Sequence, residues 1–256
     1  MPACRDRDAG TLTVRPRLID APGLGPREHL ALDEAVLDAV EHGAAPSTLR
    51  LWEADVPFVV LGSAQKAARE VRLDACAEDG VPVLRRCTAG GCVLQGPGSL
   101  NFSLVVRYDD WPGTRDLRGS YCLILSCITG GLKRLGLAAS QEGVCDLAVG
   151  GLKVSGNAQR RRKHAFLHHG TLLHRPDHAG MARYLAEPSD RPEYRGARSH
   201  AEFVGGIQAA PAVLRGMLAG VFGAEPPAAT PAAHEREEMH RLVREKYALD
   251  AWNLRL

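Results

Sequence analysis

The sequence predicts an α+β fold, in which a mixed and largely antiparallel sheet is flanked by helices. Short apolar runs bounded by turn-forming residues predict strands, and apolar residues at helical spacing predict helices. The two kinds of segment do not alternate regularly, as they would in a doubly wound parallel fold. The chain has no internal repeat.

The first predicted element is a helix over residues 26–42. Pro26 suits a first helical turn, Leu30 and Leu37 follow helical spacing, and Gly43 ends the helix. The segments predicted after it are strands over 49–53 and 58–62, joined by a turn at 55–57, a short helix over 73–78, and strands over 81–86 and 101–106.

In the second half of the chain, an apolar run predicts a buried helix over 121–135. Residues 145–174 are strand-like, and the pair Gly150-Gly151 is typical of a hairpin turn. The segments predicted after them are a polar loop over 188–199 and helices over 212–222 and 235–247.

Composition limits the classes of function. The chain has 256 residues with 32 basic and 30 acidic side chains, and the net charge of +2 argues against a dedicated nucleic-acid binder. No apolar run approaches the roughly 20 residues of a membrane span. The charged start lacks the apolar stretch of a signal peptide. We therefore predict a cytoplasmic protein without a membrane or nucleic-acid partner, with a loose tail over 1–10 and one domain over 11–256.

The seven cysteines form no CxxC pair, which argues against a zinc ribbon, and reduced thiols are expected. The glycine-rich segment RRCTAGGCVLQGPGSLN, residues 85–101, allows close approach of backbone to a ligand. Arg85 and Arg86 could bind phosphate or carboxylate oxygens. A flexible surface loop with two solvated arginines explains the same residues, and the segment matches neither standard nucleotide-binding glycine motif.

Two further segments contain clustered polar side chains. Strand alternation in DLAVGGLKVSGNAQRR, residues 146–161, places Lys153, Ser155, Asn157 and Gln159 on one face, which indicates either a binding surface or a solvated sheet face. In FLHHGTLLH, residues 166–174, adjacent histidines point to opposite faces, so no metal site is predicted. The mid-strand glycine of this segment suggests that a ligand or another backbone approaches closely.

Four motifs occur in a fixed order: RRCTAGGCV, GSLN, CDLAVGGLKVSGNAQ and LHHGTLL. Together they resemble the lipoate–protein ligase family, which shares its fold with biotin–protein ligases and octanoyl transferases. The resemblance extends from near residue 49 to near the C-terminus. It implies a biotin/lipoate–protein ligase-type catalytic domain, without the C-terminal accessory domain of two-domain lipoate ligases.

In such ligases, lipoate and ATP with Mg²⁺ give lipoyl-adenylate, and a lysine of a carrier domain then displaces AMP. The resemblance implies that Lys153 contacts the junction between the lipoate carboxyl group and the α-phosphate. It implies that Arg86 and the glycine loop bind the acyl chain and the phosphate. Asp146 is implied to position the nucleotide, Mg²⁺ or the incoming lysine. The other binding residues that it implies are Arg85, Thr88, Gly90, Gly91, Asn101, Ser155, Gly156, Asn157, His169, Gly170 and Thr171.

The sequence departs from the family pattern at three positions. Ala89 stands where glycine is usual, and Gln95 stands where the ligases commonly have histidine. Cys145 stands where the best-known ligases have asparagine. Cys145 supports an alternative: an ATP-independent octanoyl transferase that takes octanoate from acyl carrier protein onto a cysteine whose pKa Lys153 lowers. A third alternative is a non-catalytic lipoate- or lipoyl-domain-binding protein.

The partners that the resemblance implies are lipoyl carrier domains, as in the E2 subunits of 2-oxo acid dehydrogenases and the H-type proteins of glycine cleavage. Acyl carrier protein would be the donor for the transferase. If the protein is a ligase, a separately encoded accessory subunit is a further partner that the resemblance suggests.

Overall fold

The computed structural model describes residues 12–188 and 191–255, so the predicted loose tail over 1–10 lies outside the described residues. The strands are β1 (Arg17–Ile19), β2 (Thr48–Trp52), β3 (Phe58–Leu61), β4 (Val83–Arg85), β5 (Val93–Gln95), β6 (Ser99–Arg107), β7 (Ala139–Glu142), β8 (Asp146–Val149), β9 (Leu152–Arg161) and β10 (Ala165–Leu173). The α-helices are α1 (Pro26–Glu41), α2 (Ala67–Glu70), α3 (Leu73–Glu78), α4 (Leu117–Arg134), α5 (His178–Tyr184), α6 (His200–Phe203), α7 (Pro211–Phe222), α8 (Ala233–Leu242) and α9 (Asp250–Asn253).

The strands form two sheets. The larger has the order β1-β2-β6-β10-β9-β8-β7, and its pairs are antiparallel except for β1 with β2. The smaller has the order β4-β3-β5, with β3 parallel to β4 and antiparallel to β5. The predicted mixed, largely antiparallel α+β architecture is confirmed.

The residues at 55–57 do not join two neighbouring strands. β2 pairs with β1 and β6 in the large sheet, whereas β3 lies in the small one. The predicted turn therefore carries the chain from one sheet to the other. The hairpin predicted at Gly150 and Gly151 is present, and both glycines have positive φ, of 59° and 78°.

The large sheet separates two apolar cores. Residues of one face, among them Trp52, Val105 and Leu167, pack in one cluster with α1 and α8. Residues of the other face, among them Leu104 and Phe166, pack in a second cluster with α4 and α7. This alternation along β6 and β10 follows from the period of two of a strand. The face towards α1 also looks towards the small sheet, and the cavity described below lies on it.

The helix predicted over 121–135 begins earlier, at Leu117, because the Asp116 side chain accepts a hydrogen bond from the Gly119 N–H and caps its first turn. The helix predicted over 235–247 ends as a π-helical turn at Val243–Tyr247. The short elements β1, β7 and α5 were not predicted. In the described part of the chain, no helix combines the length and apolar character needed to cross a bilayer.

The cysteines only partly match the expectation of reduced thiols. Cys122 in α4 is disulfide-bonded. Five other cysteines within the described ranges are free: Cys76, Cys87, Cys92, Cys127 and Cys145.

Arg85, predicted as a substrate-binding residue, is instead fully buried at the end of β4. Its guanidinium donates to the carbonyls of Gly62 and Gln65, at 2.8 and 2.7 Å, and to the carbonyls of Trp252 and Arg255, at 3.0 and 2.6 Å. These bonds join the start of the glycine-rich segment to residues 62–65 and 252–255. Arg85 therefore holds the base of the loop in place.

Replacing Arg85 tests this structural role. Arg85→Met should lower the free energy of unfolding by about 3 kcal/mol, because several buried carbonyls lose their donor. Urea denaturation followed by circular dichroism measures the change. The control is Arg15→Met, which removes an exposed arginine paired with Glu225 and should cost less than about 1 kcal/mol. Equal effects of the two substitutions would contradict the role of Arg85.

Candidate active site

A cavity of about 140 Å³ lies against the α1-side face of the large sheet, beneath the glycine-rich segment. Its lining runs from Trp52 on β2 across β6, β10 and β9 to Asp146 on β8, which spans four strand spacings or about 19 Å. Leu30, Trp52 and Val60 contribute apolar surface, and the β8–β9 side contributes charge. The cavity therefore suits an elongated ligand with one apolar and one anionic end.

Most residues predicted from the motifs converge on this cavity. Those that line it are Arg86, Gly90, Gly91, Asn101, Cys145, Asp146, Lys153, Gly156, Asn157, His169, Gly170 and Thr171. Arg85, Thr88 and Ser155 do not line it.

Arg86 shapes the glycine-rich segment from within. Its Nε donates to Thr88 Oγ1 at 2.8 Å, and its Nη2 donates to the carbonyls of Ala89 and Gly91 at 2.8 and 3.0 Å. Gly90 adopts φ +97°, and a Cβ there would lie 2.9 Å from Arg86 Nη2, so only glycine lets the loop wrap the guanidinium.

Arg86 as a whole residue is 8% exposed, and no carboxylate within residues 12–188 and 191–255 forms an ion pair with it. Burying a cation without an anionic partner is costly. A ligand carboxylate or phosphate in the cavity would supply that partner.

Lys153 faces the cavity because β9 contains an extra residue. Asp146 pairs with Gly156 and Leu147 with Ser155, but Ala148 pairs with Lys153, so Val154 is unmatched. A bulge of this kind reverses the face on which the preceding residues point. The prediction that Lys153 shares a face with Ser155, Asn157 and Gln159 is therefore wrong.

Lys153 Nζ lies 2.8 Å from Asp146 Oδ1. The lysine side chain crosses over Gly156, where an added Cβ would meet Lys153 Nζ at 3.3 Å. The second carboxylate oxygen, Asp146 Oδ2, accepts a hydrogen bond of 2.8 Å from the Tyr194 hydroxyl. The ion pair with Lys153 and the hydrogen bond from Tyr194 thus occupy both carboxylate oxygens of Asp146. Tyr194 was not predicted as a site residue.

Cys145 lines the same cavity, and its Sγ lies 3.9 Å from Asp146 Oδ1. Burial is the largest influence on the thiol and raises its pKa, and the Asp146 carboxylate raises it further. Lys153 and Arg86 act in the opposite direction but do not outweigh these effects. Lys153 therefore lowers the pKa of Cys145, as the sequence suggested, but burial and the Asp146 carboxylate outweigh it, so the net shift is upward and does not favour a thiolate.

His169 connects the loop to a buried carboxylate. Thr88 Oγ1 lies 2.7 Å from His169 Nε2, and His169 Nδ1 lies 3.2 Å from Asp33 Oδ2. Asp33, on α1, also accepts from Arg50 at 2.7 Å and Ser103 at 2.7 Å. Burial alone would raise the pKa of Asp33, but the His169 and Ser103 hydrogen bonds and the charge of Arg50 hold it below its ordinary value.

Asp33 was not predicted as a site residue from the sequence. The available signal was an acidic residue on the same helical face as Leu30 and Leu37, where an apolar side chain is expected. A carboxylate in that position needs buried donors, and here it has three.

The polar residues further along the cavity form hydrogen bonds with one another. Thr171 Oγ1 donates to Asn101 Oδ1 at 2.7 Å, and Gln95 Nε2 donates to Thr171 Oγ1 at 2.8 Å. Asn101 Nδ2 in turn donates to Gln95 Oε1 at 2.9 Å. Gln95, which departs from the family's usual histidine, completes this closed network.

The side chains of Ser155 and Asn157 point towards the other core. Asn157 Nδ2 donates to the Cys145 carbonyl at 2.8 Å and to Ser155 Oγ at 3.1 Å. A Cβ at Gly170 would meet Asn157 Oδ1 at 2.0 Å. On this face of the strand, the close approach to Gly170 is made by the Asn157 side chain and not by another backbone.

The adjacent histidines point to opposite faces, as predicted. His168 is fully buried beside Gln159 and Asn157, and burial lowers its pKa to about 3.

In the part of the chain that the structure describes, no group of three or more His, Cys, Asp or Glu side chains is arranged to hold a metal ion.

A buried cation without a carboxylate partner and a Lys–Asp pair at one cavity define a site for an anionic ligand. Residues 25–212 match the family described as the lipoyl protein ligase A/B catalytic domain. The chain belongs to this family. It is therefore an enzyme, and the non-catalytic alternative is set aside.

The octanoyltransferase LipM of Kyrpidia tusciae is 31% identical over 89% of this chain and 94% of that relative. The chain spans only 64% of another relative, a lipoate-protein ligase A homologue of Aeropyrum pernix, at 34% identity over 69% of this chain. The family thus includes both ligases and octanoyl transferases.

Two solved structures have the same fold. A bi-partite lipoate protein ligase of Thermoplasma acidophilum, studied with its E2 lipoyl domain, superposes with a TM-score of 0.81 and 27% identity, covering 94% of this chain and 96% of that one. A lipoate-protein ligase A bound with ATP superposes with a TM-score of 0.79 and 27% identity, covering 94% and 99%. The predicted biotin/lipoate–protein ligase-type fold is confirmed.

The reactivity of Cys145 tests its electrostatic environment. Because its pKa is raised, alkylation by iodoacetamide should be slow at pH 7 and should accelerate through pH values above 9. Asp146→Asn should speed the reaction at pH 8 by about threefold or more, and Lys153→Ala should slow it. Mass spectrometry of the Cys145 peptide measures the rates, with Cys145→Ser as the blank. A rate midpoint below pH 8 would contradict the raised pKa.

Proposed function

We propose that the protein is an ATP-dependent lipoate–protein ligase, which joins a lipoyl group to a specific lysine of a carrier domain through an acyl-adenylate. The observation that carries the proposal is the pair of cations, Arg86 and Lys153, at one cavity. Arg86 has no carboxylate partner among the described residues, and Lys153 has only Asp146. Two anionic groups meet in the first half-reaction, the carboxylate and the α-phosphate.

The apolar part of the cavity would hold the acyl chain. Leu30, Trp52 and Val60 lie there. These residues lie towards the β2 end of a lining that extends about 19 Å along the sheet. That length leaves room for an eight-carbon acyl group, with either a lipoyl ring or a plain octanoyl end.

ATP would bind between the glycine-rich segment and Lys153. In the first step a lipoate carboxylate oxygen attacks the α-phosphorus and pyrophosphate leaves, and the Lys153 ammonium stabilises the charge that develops on the phosphoryl oxygens. Mg²⁺ would enter with the nucleotide, because the described residues hold no cluster of three metal-ligating side chains and Mg²⁺ is often bound by few carboxylates together with substrate phosphates.

In the second step the carrier lysine attacks the acyl carbonyl as a neutral amine. A carbon–nitrogen bond forms, the bond from the carbonyl carbon to the phosphate oxygen breaks, and AMP leaves while the amine loses a proton. Lys153 and Arg86 would stabilise the oxyanion and the departing phosphate. Asp146 would orient the incoming amine. Asn157 would act indirectly, by holding the Cys145 carbonyl.

An ATP-independent octanoyl transferase is the second candidate. Cys145 lines the cavity beside Asp146, and octanoyltransferases are among the relatives. The raised pKa of the thiol argues against Cys145 as the nucleophile.

The partners follow from the chemistry. A lipoyl carrier domain is the acceptor, and the archaeal ligase studied with its E2 lipoyl domain supports this class. H-type proteins of glycine cleavage are further acceptors under this proposal. The bi-partite organisation of that ligase supports a separate accessory subunit. Acyl carrier protein is the donor only under the second candidate.

The choice of donor tests the proposed function. The protein is mixed with a lipoyl domain and either lipoate with Mg-ATP or octanoyl acyl carrier protein, and intact mass measures acylation of the domain. We expect a mass gain only with ATP, retained in Cys145→Ala. A gain only from the carrier protein, lost in Cys145→Ala, would establish the transferase instead. No gain from either donor, with and without an accessory subunit, would reject both.

Lys153→Ala tests the role of the lysine. Loss of the cation should lower kcat for lipoylation by about 100-fold or more, because it acts on charge that develops in the transition state. The matched control is Lys133→Ala, an exposed lysine of α4, which should keep full activity. Thermal unfolding should be unchanged in both variants. Full activity in Lys153→Ala would remove Lys153 from the mechanism.

A further inference from the structure

Tyr194 contacts the Lys153–Asp146 pair from a part of the chain that belongs to neither strand. It lies in a 3-10 turn, Glu193–Arg195, between α5 and α6. Its hydroxyl donates to Asp146 Oδ2 at 2.8 Å, while Lys153 Nζ lies 2.8 Å from Oδ1. The carboxylate therefore cannot rotate without losing one of these partners.

The segment that contains Tyr194 is attached to the backbone around Lys153. Arg198 donates to the Tyr194 carbonyl at 2.6 Å and to the Gly151 carbonyl, in the β8–β9 turn, at 3.0 Å. The Gly205 N–H donates to the Lys153 carbonyl at 2.9 Å. One segment thus fixes the hairpin before Lys153, the Lys153 backbone itself, and the carboxylate that holds its side chain.

Lys153 needs such support. Its side chain is 28% exposed, against 9% for Asp146, and a long flexible amine loses much conformational entropy when it is held in one place. The Tyr194 ring is fixed in turn by Phe203, at a ring-centroid distance of 5.0 Å. Burial and the charge of Asp146 raise the pKa of Tyr194 well above its ordinary value, so the phenol keeps its proton and remains a donor.

We propose that Tyr194 is a positioning residue for acyl transfer. By holding Asp146 Oδ2 it keeps Oδ1 directed at Lys153, and it thereby holds the Lys153 ammonium at the cavity where the acyl group is activated and transferred. Tyr194 acts through Asp146 and does not itself touch the substrate. The proposal rests on the function proposed above, because it assigns Lys153 to the reacting groups.

Tyr194→Phe removes the hydroxyl and keeps the ring that packs against Phe203. It should lower kcat for lipoylation about tenfold, the effect expected for loss of one hydrogen bond to a charged group. The KM for lipoate should change less than about twofold, because the cavity walls that hold the acyl chain are untouched. The control is Tyr184→Phe. Tyr184 lies on α5, outside the cavity lining, and its hydroxyl also donates to a carboxylate, that of Asp79, at 2.9 Å. An unchanged kcat, or an equal loss in the control, would overturn the proposal.

A mutant cycle separates positioning from a general structural effect. If Tyr194 acts through the carboxylate, Tyr194→Phe should cause no further loss of kcat in an Asp146→Asn background. A full additional tenfold loss in the double variant would show that Tyr194 acts elsewhere and would overturn the proposal.

A crystal structure of the free Tyr194→Phe variant tests the idea independently of the reaction. We expect the Asp146 carboxylate to rotate and the distance from Lys153 Nζ to Oδ1 to exceed 4 Å. An unchanged ion pair would overturn the proposal even if the enzyme is a ligase. A displaced lysine in a protein that transfers no acyl group would instead support the positioning role and reject the proposed function.

Discussion

The candidate active site depends on the one unmatched residue of β9. Strict alternation would direct Lys153 to the same side as Leu147 and Ser155, into the apolar core against α4 and α7, where an ammonium would be desolvated and unpaired. Val154 takes up the extra position, and Lys153 emerges beside Asp146 and Gly156. β9 keeps its regular register with β10 from Ser155 to Arg161. The change of face is therefore local and does not disturb the sheet.

The charges around the cavity are unevenly compensated. Asp33 is neutralised by Arg50 at 2.7 Å, and Asp146 by Lys153 at 2.8 Å. Arg86 has hydrogen bonds only to a hydroxyl and carbonyls of its own loop among the described residues. One buried positive charge is thus left over on a concave surface, and it favours anions over neutral or cationic ligands before any ligand-specific contact is made.

The sequence predicted the long elements and the motif residues, because both depend on local periodicity and on short patterns. It placed α1 within one residue of its end and located the hairpin at Gly150. It could not show that β2 and β3 belong to different sheets, because strand pairing depends on contacts between residues that are far apart in the sequence. Asp33 and Tyr194 were missed for the same reason. Each reaches the site only when distant segments pack, and neither belongs to a recognisable motif.

The contacts of Arg85 couple the glycine-rich segment to residues that are translated much later. Its carbonyl acceptors at Trp252 and Arg255 lie 167 and 170 positions further along the chain. During synthesis, the base of the loop stays without these partners until residues 252–255 leave the ribosome, because chains emerge and fold from the N-terminus. A nascent chain that stops before these residues therefore has an incompletely supported loop, and the wall that this loop gives to the cavity forms only after they have emerged.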